Sequence, residues 1–309
     1  MTDYAQETPA SLFPGYGNAT QEILFSWSLK IEYLSNASGT LVVLLSLISV
    51  VIQVFHIGIL SSKEMRKSVV NLIMIAISTS YIIYLLVLAD LRHKQTTDED
   101  ACAPPAPYWS LQVQILFYAF QLFAAHSATW LGILMASLRL IILKFPFNYK
   151  LQKVARPKNG LKLIMGTLIV CFPLSFLYYF RFKVVEYDAW VPDESCTTLP
   201  SNYSAPSYGI EQSDLFSFDN LIVYRFYLAA EGVFGKLIPG LLYPILTFML
   251  ISQIRVGNEN RARLGTSYGT ENKTTLLVST MTALHLICDL PKGIVALAQS
   301  YLVTADGFL

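Results

Sequence analysis

Residues 130–146 read Trp130-Leu-Gly-Ile-Leu-Met-Ala-Ser-Leu-Arg139-Leu-Ile-Ile-Leu-Lys-Phe-Pro146. One arginine stands near the end of a long apolar run, with a proline seven residues on. A charge held within the hydrocarbon layer costs about 2.5–3.5 kcal/mol on insertion scales, so it needs a partner, a wet cavity or a route to the interface. Two readings fit the position alone. Arg139 faces a cytosolic partner from the inner end of a membrane helix, or it snorkels to the interface in keeping with the positive-inside rule.

Composition decides the solvent. The chain is 54% apolar and only 14% charged, with a mean hydropathy of +0.48. Soluble domains carry about 25% charged residues. A polytopic membrane protein is expected, and the soluble classes drop out. A net charge of +1 argues against a nucleic-acid footprint. The first 40 residues show no basic n-region followed by an apolar h-region, so the first span is expected to serve as the insertion signal.

A membrane helix needs about 20 apolar residues. Six stretches qualify: residues 40–60, 70–89, 111–142, 161–180, 229–252 and 275–300. The third is too long to stand upright, so tilt or extension beyond the bilayer is expected. Pro291 interrupts the sixth, and prolines in membrane helices kink them more often than they end them. Residues 301–309 form a short tail in which no seventh span fits.

Loop charge sets the orientation. Lys63, Arg66 and Lys67 follow span 1, Lys144, Lys150, Lys153, Arg156 and Lys158 follow span 3, and Arg255, Arg261, Arg263 and Lys273 follow span 5. The opposite loops hold the acids Asp98, Glu99, Asp100, Glu186, Asp188, Asp193 and Glu194. Residues 1–39 are therefore expected outside, as an extracellular segment of a plasma-membrane protein. Glycan acceptor sequons at Asn18 and Asn202 fall on outer segments, although Asn272 on the inner side matches as well. Cys171 and Cys288 lie within spans. Cys102 and Cys196 lie outside, where disulfides persist, and they either bridge or remain two free surface thiols.

Order and spacing of several short motifs point to a family. They are Val54-Phe-His56 with Met65-Arg66 and Asn71, Cys102-Ala-Pro-Pro105, Trp130-Leu-Gly132 with Met135-Ala136 and Arg139, and Lys144-Phe-Pro146. Lys236-Leu-Ile-Pro239, Pro244-Ile-Leu-Thr247, Lys273-Thr-Thr275 and Asp289-Leu-Pro291 continue the series. With these the chain resembles rhodopsin-like G-protein-coupled receptors. More closely it resembles nematode serpentine receptors of class W, which are similar to FMRFamide-type neuropeptide receptors. The resemblance implies an all-α transmembrane bundle over residues 40–300, with six of the family's seven spans in the chain. It implies a chemosensory or neuropeptide-type receptor with an extracellular peptide or small-molecule ligand. It implies a heterotrimeric G protein engaged at Arg139 and Pro146, and no cofactor or metal. The chain departs from the broader pattern at Gln53, at Thr79 where an aspartate would bind sodium, and at Leu138 and Leu140, which flank Arg139 where an acid and a tyrosine are usual.

Helical period places the candidate ligand residues. Gly132, Ala128, Ala125, Gln121 and Gln114 share the face of Arg139. The two glutamines, with Tyr118, would line a wet outer cavity or pack between helices. His285, Asp289 and Lys292 fall at i, i+4 and i+7 of span 6. Ionisable groups there avoid lipid. Asp289 could meet a ligand cation or be neutralised by its two neighbours. Glu231 and Lys236 at the outer end of span 5 read as interfacial residues, with Lys236 snorkelling and a ligand contact as the alternative for Glu231. A six-span regulator of full-length receptors, or a transporter or channel using the span-6 stripe, stands as the alternative function. An intramembrane enzyme has only His285 and Asp289 to work with, and no metal-ligand cluster.

Overall fold

The computed structural model describes residues 17–97, 102–145, 148, 157–192, 196, 200, 203–218, 221–263, 287 and 290–301. In chain order its elements are α1 (Asn18–Leu60), a 3-10 turn (Met65–Lys67), α2 (Val69–Thr97), α3 (Tyr108–Lys144) and α4 (Pro157–Tyr179). They continue with β1 (Phe182–Trp190), β2 (Ala205–Gln212), α5 (Asp214–Ser217), α6 (Ile222–Ala230), a π-helical turn (Glu231–Leu237) and α7 (Ile238–Arg263). Residues 290–301 are helical. Pro146, Asn202, His285 and Asp289 lie outside the described residues.

Among the described residues five helical stretches are long and apolar enough to cross a membrane: Ser38–Leu60, Val69–His93, Tyr108–Lys144, Lys158–Tyr179 and Ile222–Val256. They overlap the first five expected spans, the fifth beginning at Ile222 rather than at residue 229. At about 1.5 Å per residue α3 extends about 55 Å. The fold is a helical membrane bundle, and the described part of the sixth span is its end, 290–301. Its packing is sequential: α1 lies on α2, α2 on α3, and α3 on both α4 and α7.

Two polar contacts show why span 1 carries His56 and span 2 begins with Asn71. His56 Nδ1 lies 2.8 Å from Ser78 Oγ and ties α1 to α2. Asn71 donates to the Met65 carbonyl at 2.9 Å and closes the connection between them. At the Arg139 end Val69, Ile73, Leu131, Leu138 and Ile164 form one apolar core. Leu138 thus packs inward where an acid is usual in the resembled receptors. Thr79 donates to the Ile75 carbonyl of its own helix at 2.9 Å.

Tyr243 fixes α7 to α3, donating to the Thr129 carbonyl at 3.1 Å. The space a Cβ would take at Gly132 is filled by the Tyr243 hydroxyl. Gly132→Ala is therefore expected to push the ring off Thr129. Overpacking of this kind costs about 1–3 kcal/mol. Thermal unfolding in detergent should show the loss, and Tyr243→Phe in the Gly132→Ala background should recover part of it by removing the clashing oxygen.

The loop between spans 4 and 5 departs from an all-helical chain. β1 and β2 pair antiparallel from Phe182 with Gln212 to Tyr187 with Ser207, then again at Trp190 with Ala205 after a register shift. The hairpin root is clamped to the bundle. Ser213 donates from its backbone to the Arg181 carbonyl at 2.8 Å and from its hydroxyl to the Phe180 carbonyl at 2.6 Å. Arg181 donates to the Tyr224 hydroxyl at 2.9 Å, its guanidinium lying over the rings of Tyr224 and Phe182. Below it Phe216, Tyr224, Tyr227 and Leu228 are buried against Leu174, Leu177 and Tyr178 of α4. Lys183 of β1 reaches Asp214 of α5 at 2.6 Å. That hydrogen bond raises the Lys183 ammonium above its usual range.

Candidate functional site

Three features divide the length of the bundle. The first is a buried polar cluster joining spans 3, 4 and 5. His126 of α3 is 2% exposed. Its Nε2 lies 3.0 Å from Glu231 Oε1, and its Nδ1 lies 3.2 Å from Ser175 Oγ on α4. Ser175 also donates to the Cys171 carbonyl at 3.2 Å. A hydroxyl has one proton to give, and a carboxylate only accepts. Nε2–H therefore donates to the Glu231 carboxylate, and Nδ1 shares the Ser175 hydroxyl.

Local sequence explains the meeting. Glu231 opens the π-helical turn Glu231–Leu237, whose sequence carries Gly232 and Gly235. Such widened turns are frequent at functional sites. A Cβ on Gly235 would stand 2.8 Å from His126 Nε2 and 3.2 Å from Glu231 Oε1, so glycine leaves room for the pair. Gly232 admits the 290–301 helix, its missing Cβ facing the Gly293 carbonyl at 3.1 Å. Trp130 stacks on Phe234 of the same turn, with centroids 4.7 Å apart. Among the described residues Glu231 Oε2 and Trp130 Nε1 are buried with no hydrogen-bond partner.

The second feature is the disulfide end. Cys102, ahead of α3, is bonded to Cys196 in the loop joining β1 and β2, with Cα atoms 5.5 Å apart. The free-thiol alternative is thereby set aside. Tyr108 packs edge-on against Tyr208 of β2, with centroids 5.7 Å apart. An open groove of about 390 Å³ lies beside the hairpin root, lined by Gln112, Tyr179, Phe180, Phe182, Lys183, Ser213, Asp214 and Leu215. Tyr179 donates to Gln112 Oε1 at 3.4 Å across it.

At the other end stands Arg139, half-buried, with its guanidinium donating to the Met74 thioether at 3.7 Å. Sulfur is a weak acceptor. Among the described residues no carboxylate lies within ion-pair distance of Arg139.

Gln114, Tyr118 and Gln121 are half-buried on α3, and the Tyr118 ring faces Tyr178 of α4 at 6.4 Å. None of the three lines the groove, where Gln112 stands instead. Lys292 is exposed, one residue from the buried Gly293 that packs on the π turn. Asn18 is exposed at the start of α1. Glu231 is not interfacial: its side chain is 14% exposed and paired to His126. His126 was not singled out in the sequence at all, although an ionisable residue inside a span is a functional candidate by default.

Comparison with known proteins gives this geometry a context. The sequence model described as "Serpentine type 7TM GPCR chemoreceptor Srw" matches residues 40–309. The chain belongs to the Srw family of serpentine receptors. It is also similar to the G-protein coupled receptor dmsr-1 of Caenorhabditis elegans, at 24% identity over 225 residues. That match covers 71% of this chain and 43% of the relative, so the chain spans less than half of the relative's length. Membership of the Srw family makes the protein a multi-pass membrane receptor and not an enzyme. The His126–Glu231 pair then lies in the interior of a receptor bundle, between the disulfide end and Arg139.

Proposed function

We propose that this Srw receptor passes the binding of an extracellular ligand to a heterotrimeric G protein, with the disulfide end outside and Arg139 at the cytosolic face. One observation carries the reading. Arg139 and the disulfide lie at opposite ends of a single uninterrupted helix, Tyr108–Lys144, and among the described residues the guanidinium is held only by the weak Met74 contact. An arginine held so loosely is available to a partner, and a ligand that favours one helix arrangement would be felt there as a population shift. Loop charge and the exposed Asn18 sequon support the orientation. The groove at the disulfide end is open and mixes aromatic with charged side chains, which suits a peptide better than a small odorant.

Arg139→Ala tests the inner half. A hydrogen bond to a charged group contributes about 1.5–3 kcal/mol, so nucleotide exchange on the G protein should fall by about tenfold or more. Exchange is read in membranes of cells expressing the chain, with peptide and odorant panels added outside. Surface-expressed chain that never alters exchange with any ligand, or an Arg139→Ala variant that couples as well as the parent, would sink the reading.

A further inference from the structure

We propose that the groove beside the hairpin root holds the headgroup of a zwitterionic phospholipid, one of whose tails runs down a furrow between α3 and α4. The site does not rest on coupling: the lipid binds there whether or not the chain signals.

Contacts at two heights define the furrow. Tyr179 of α4 meets Gln112 of α3 at 3.4 Å. Three turns deeper Phe123 of α3 packs edge-on against Phe172 of α4, with centroids 6.1 Å apart. Leu116 and Phe120 stand between these contacts on the same side of α3, at i+4 and i+8 from Gln112. On α4 the rings of Phe172, Phe176 and Phe180 follow one another at 5.1 and 5.0 Å. Tyr118 and Tyr178 fall about 120° around their helices from Gln112 and Phe172. They face each other, and Tyr178 turns in turn to the buried Tyr227. The furrow therefore lies on the outside of the bundle. Leu116, Phe120, Phe172, Phe176 and Phe180 are 37–51% exposed, and in a bilayer such a lane is filled by lipid.

Height matches a lipid molecule. Span 4 ends at Tyr179, and span 3 begins at Tyr108. Tyr108 and Trp109 are exposed there, and tyrosine and tryptophan gather at headgroup level. The groove thus stands among headgroups and the furrow among tails.

Charge selects the lipid. Lys183 and Asp214 both line the groove and pair at 2.6 Å, with the Asp214 side chain 91% exposed. So exposed a pair is weak, and it opens at little cost to a ligand carrying both charges. A phosphate suits Lys183 and an ammonium suits Asp214. Tyr179, Phe180 and Phe182 line the same groove, and aromatic faces attract quaternary ammonium groups. A sterol brings no charge to this pair. A fatty acid or an anionic diacyl lipid answers Lys183 but is repelled by Asp214. A peptide entering the groove competes with the headgroup.

Native mass spectrometry of the full chain in detergent tests the site with three added probes that share palmitoyl-oleoyl tails. The probes are phosphatidylcholine, phosphatidylglycerol and diacylglycerol. One phosphatidylcholine should stay on the parent chain under activation that strips the other two. Lys183→Gln/Asp214→Asn should lower its retention by about tenfold, since two charge-assisted contacts are lost. Leu116→Trp should lower it as well, by filling the furrow with an apolar ring. Leu161→Trp, exposed to lipid near the opposite end of α4, should leave it unchanged. The charge and furrow variants are independent, so either decides if the other fails to fold. No retained phosphatidylcholine, equal retention of all three lipids, or a preference for phosphatidylglycerol would overturn the proposal. So would phosphatidylcholine held as tightly by folded charge and furrow variants as by the parent.

Discussion

Replacing His126 with alanine is expected to destabilise the bundle by about 3 kcal/mol, the upper end of the cost of leaving a buried acceptor without its hydrogen bond. The magnitude follows from what remains. Glu231 Oε2 has no partner among the described residues, so losing His126 strips the carboxylate of its Oε1 bond as well. Ser175 keeps its bond to Cys171, which confines the damage to the carboxylate. Glu231→Gln should be milder, since an amide oxygen can still accept from Nε2 and no bare charge is left buried. The His126→Leu/Glu231→Leu double variant should cost clearly less than the two single leucine changes added together, because apolar groups of similar size need no partner. Cys171 offers the readout. It is buried and its carbonyl accepts from Ser175, so a thiol-reactive dye on heated, detergent-solubilised receptor in a Cys288→Ser background reports opening of this region. His126→Ala melting within about 0.5 kcal/mol of the parent, the range of an ordinary surface change, would refute the pair as a structural clamp. Strict additivity in the double variant would refute it as a coupled one.

The helices of this bundle were legible in the sequence because each span must satisfy its own backbone in lipid and so appears as a long apolar run. Arg139 was legible as a charge in such a run. His126 was not, for a geometric reason. At about 100° per residue it lies about 140° around α3 from Arg139, and reading along the arginine's face steps past it. α3 is gripped on several sides, by α2, α4 and α7, so no single face contains its functional residues. Glu231 was misread as interfacial because the π turn at Glu231–Leu237 breaks the 3.6-residue period on which face assignments rest. The hairpin was hidden for a different cause. A two-stranded ribbon is marginal alone, and β1 and β2 exist through anchors distant in sequence: Ser213 on Phe180, Arg181 on Tyr224 and the Cys102–Cys196 bridge. Nor does hydropathy reveal that α1 begins twenty residues before the bilayer, since Glu22, Ser26, Ser28, Lys30 and Glu32 dilute the apolar residues of that stretch.

Replacing Cys102 or Cys196 with serine is expected to loosen the hairpin by about 3 kcal/mol while leaving the helix bundle standing. The two cysteines are 94 residues apart, which on a simple chain-entropy view would give nearer 5 kcal/mol. Most of that separation is α3 and α4, however, and inserted helices do not become free chain when a surface bond is cut. The loop released is the stretch from the end of α4 to Cys196, about 15–20 residues, for which the same relation gives about 3 kcal/mol. The loss should therefore be local. Proteolysis in the 191–204 connection should accelerate, whereas the temperature at which Cys171 becomes reactive should hardly move. A ligand that needs the closed hairpin would bind more weakly in proportion to the fraction still closed, by up to about a hundredfold at 3 kcal/mol. The Cys102→Ser/Cys196→Ser double variant should match either single one, since all three remove the same bond, and reductant applied to the parent chain should reproduce them. Protease resistance unchanged by serine or reductant would mean that the Ser213, Arg181 and Lys183–Asp214 contacts hold the hairpin without the bridge. A fall in the Cys171 melting temperature as large as that of His126→Ala would mean instead that the disulfide end and the bundle interior unfold as one unit, and that a ligand held by the hairpin pulls directly on the His126–Glu231 pair.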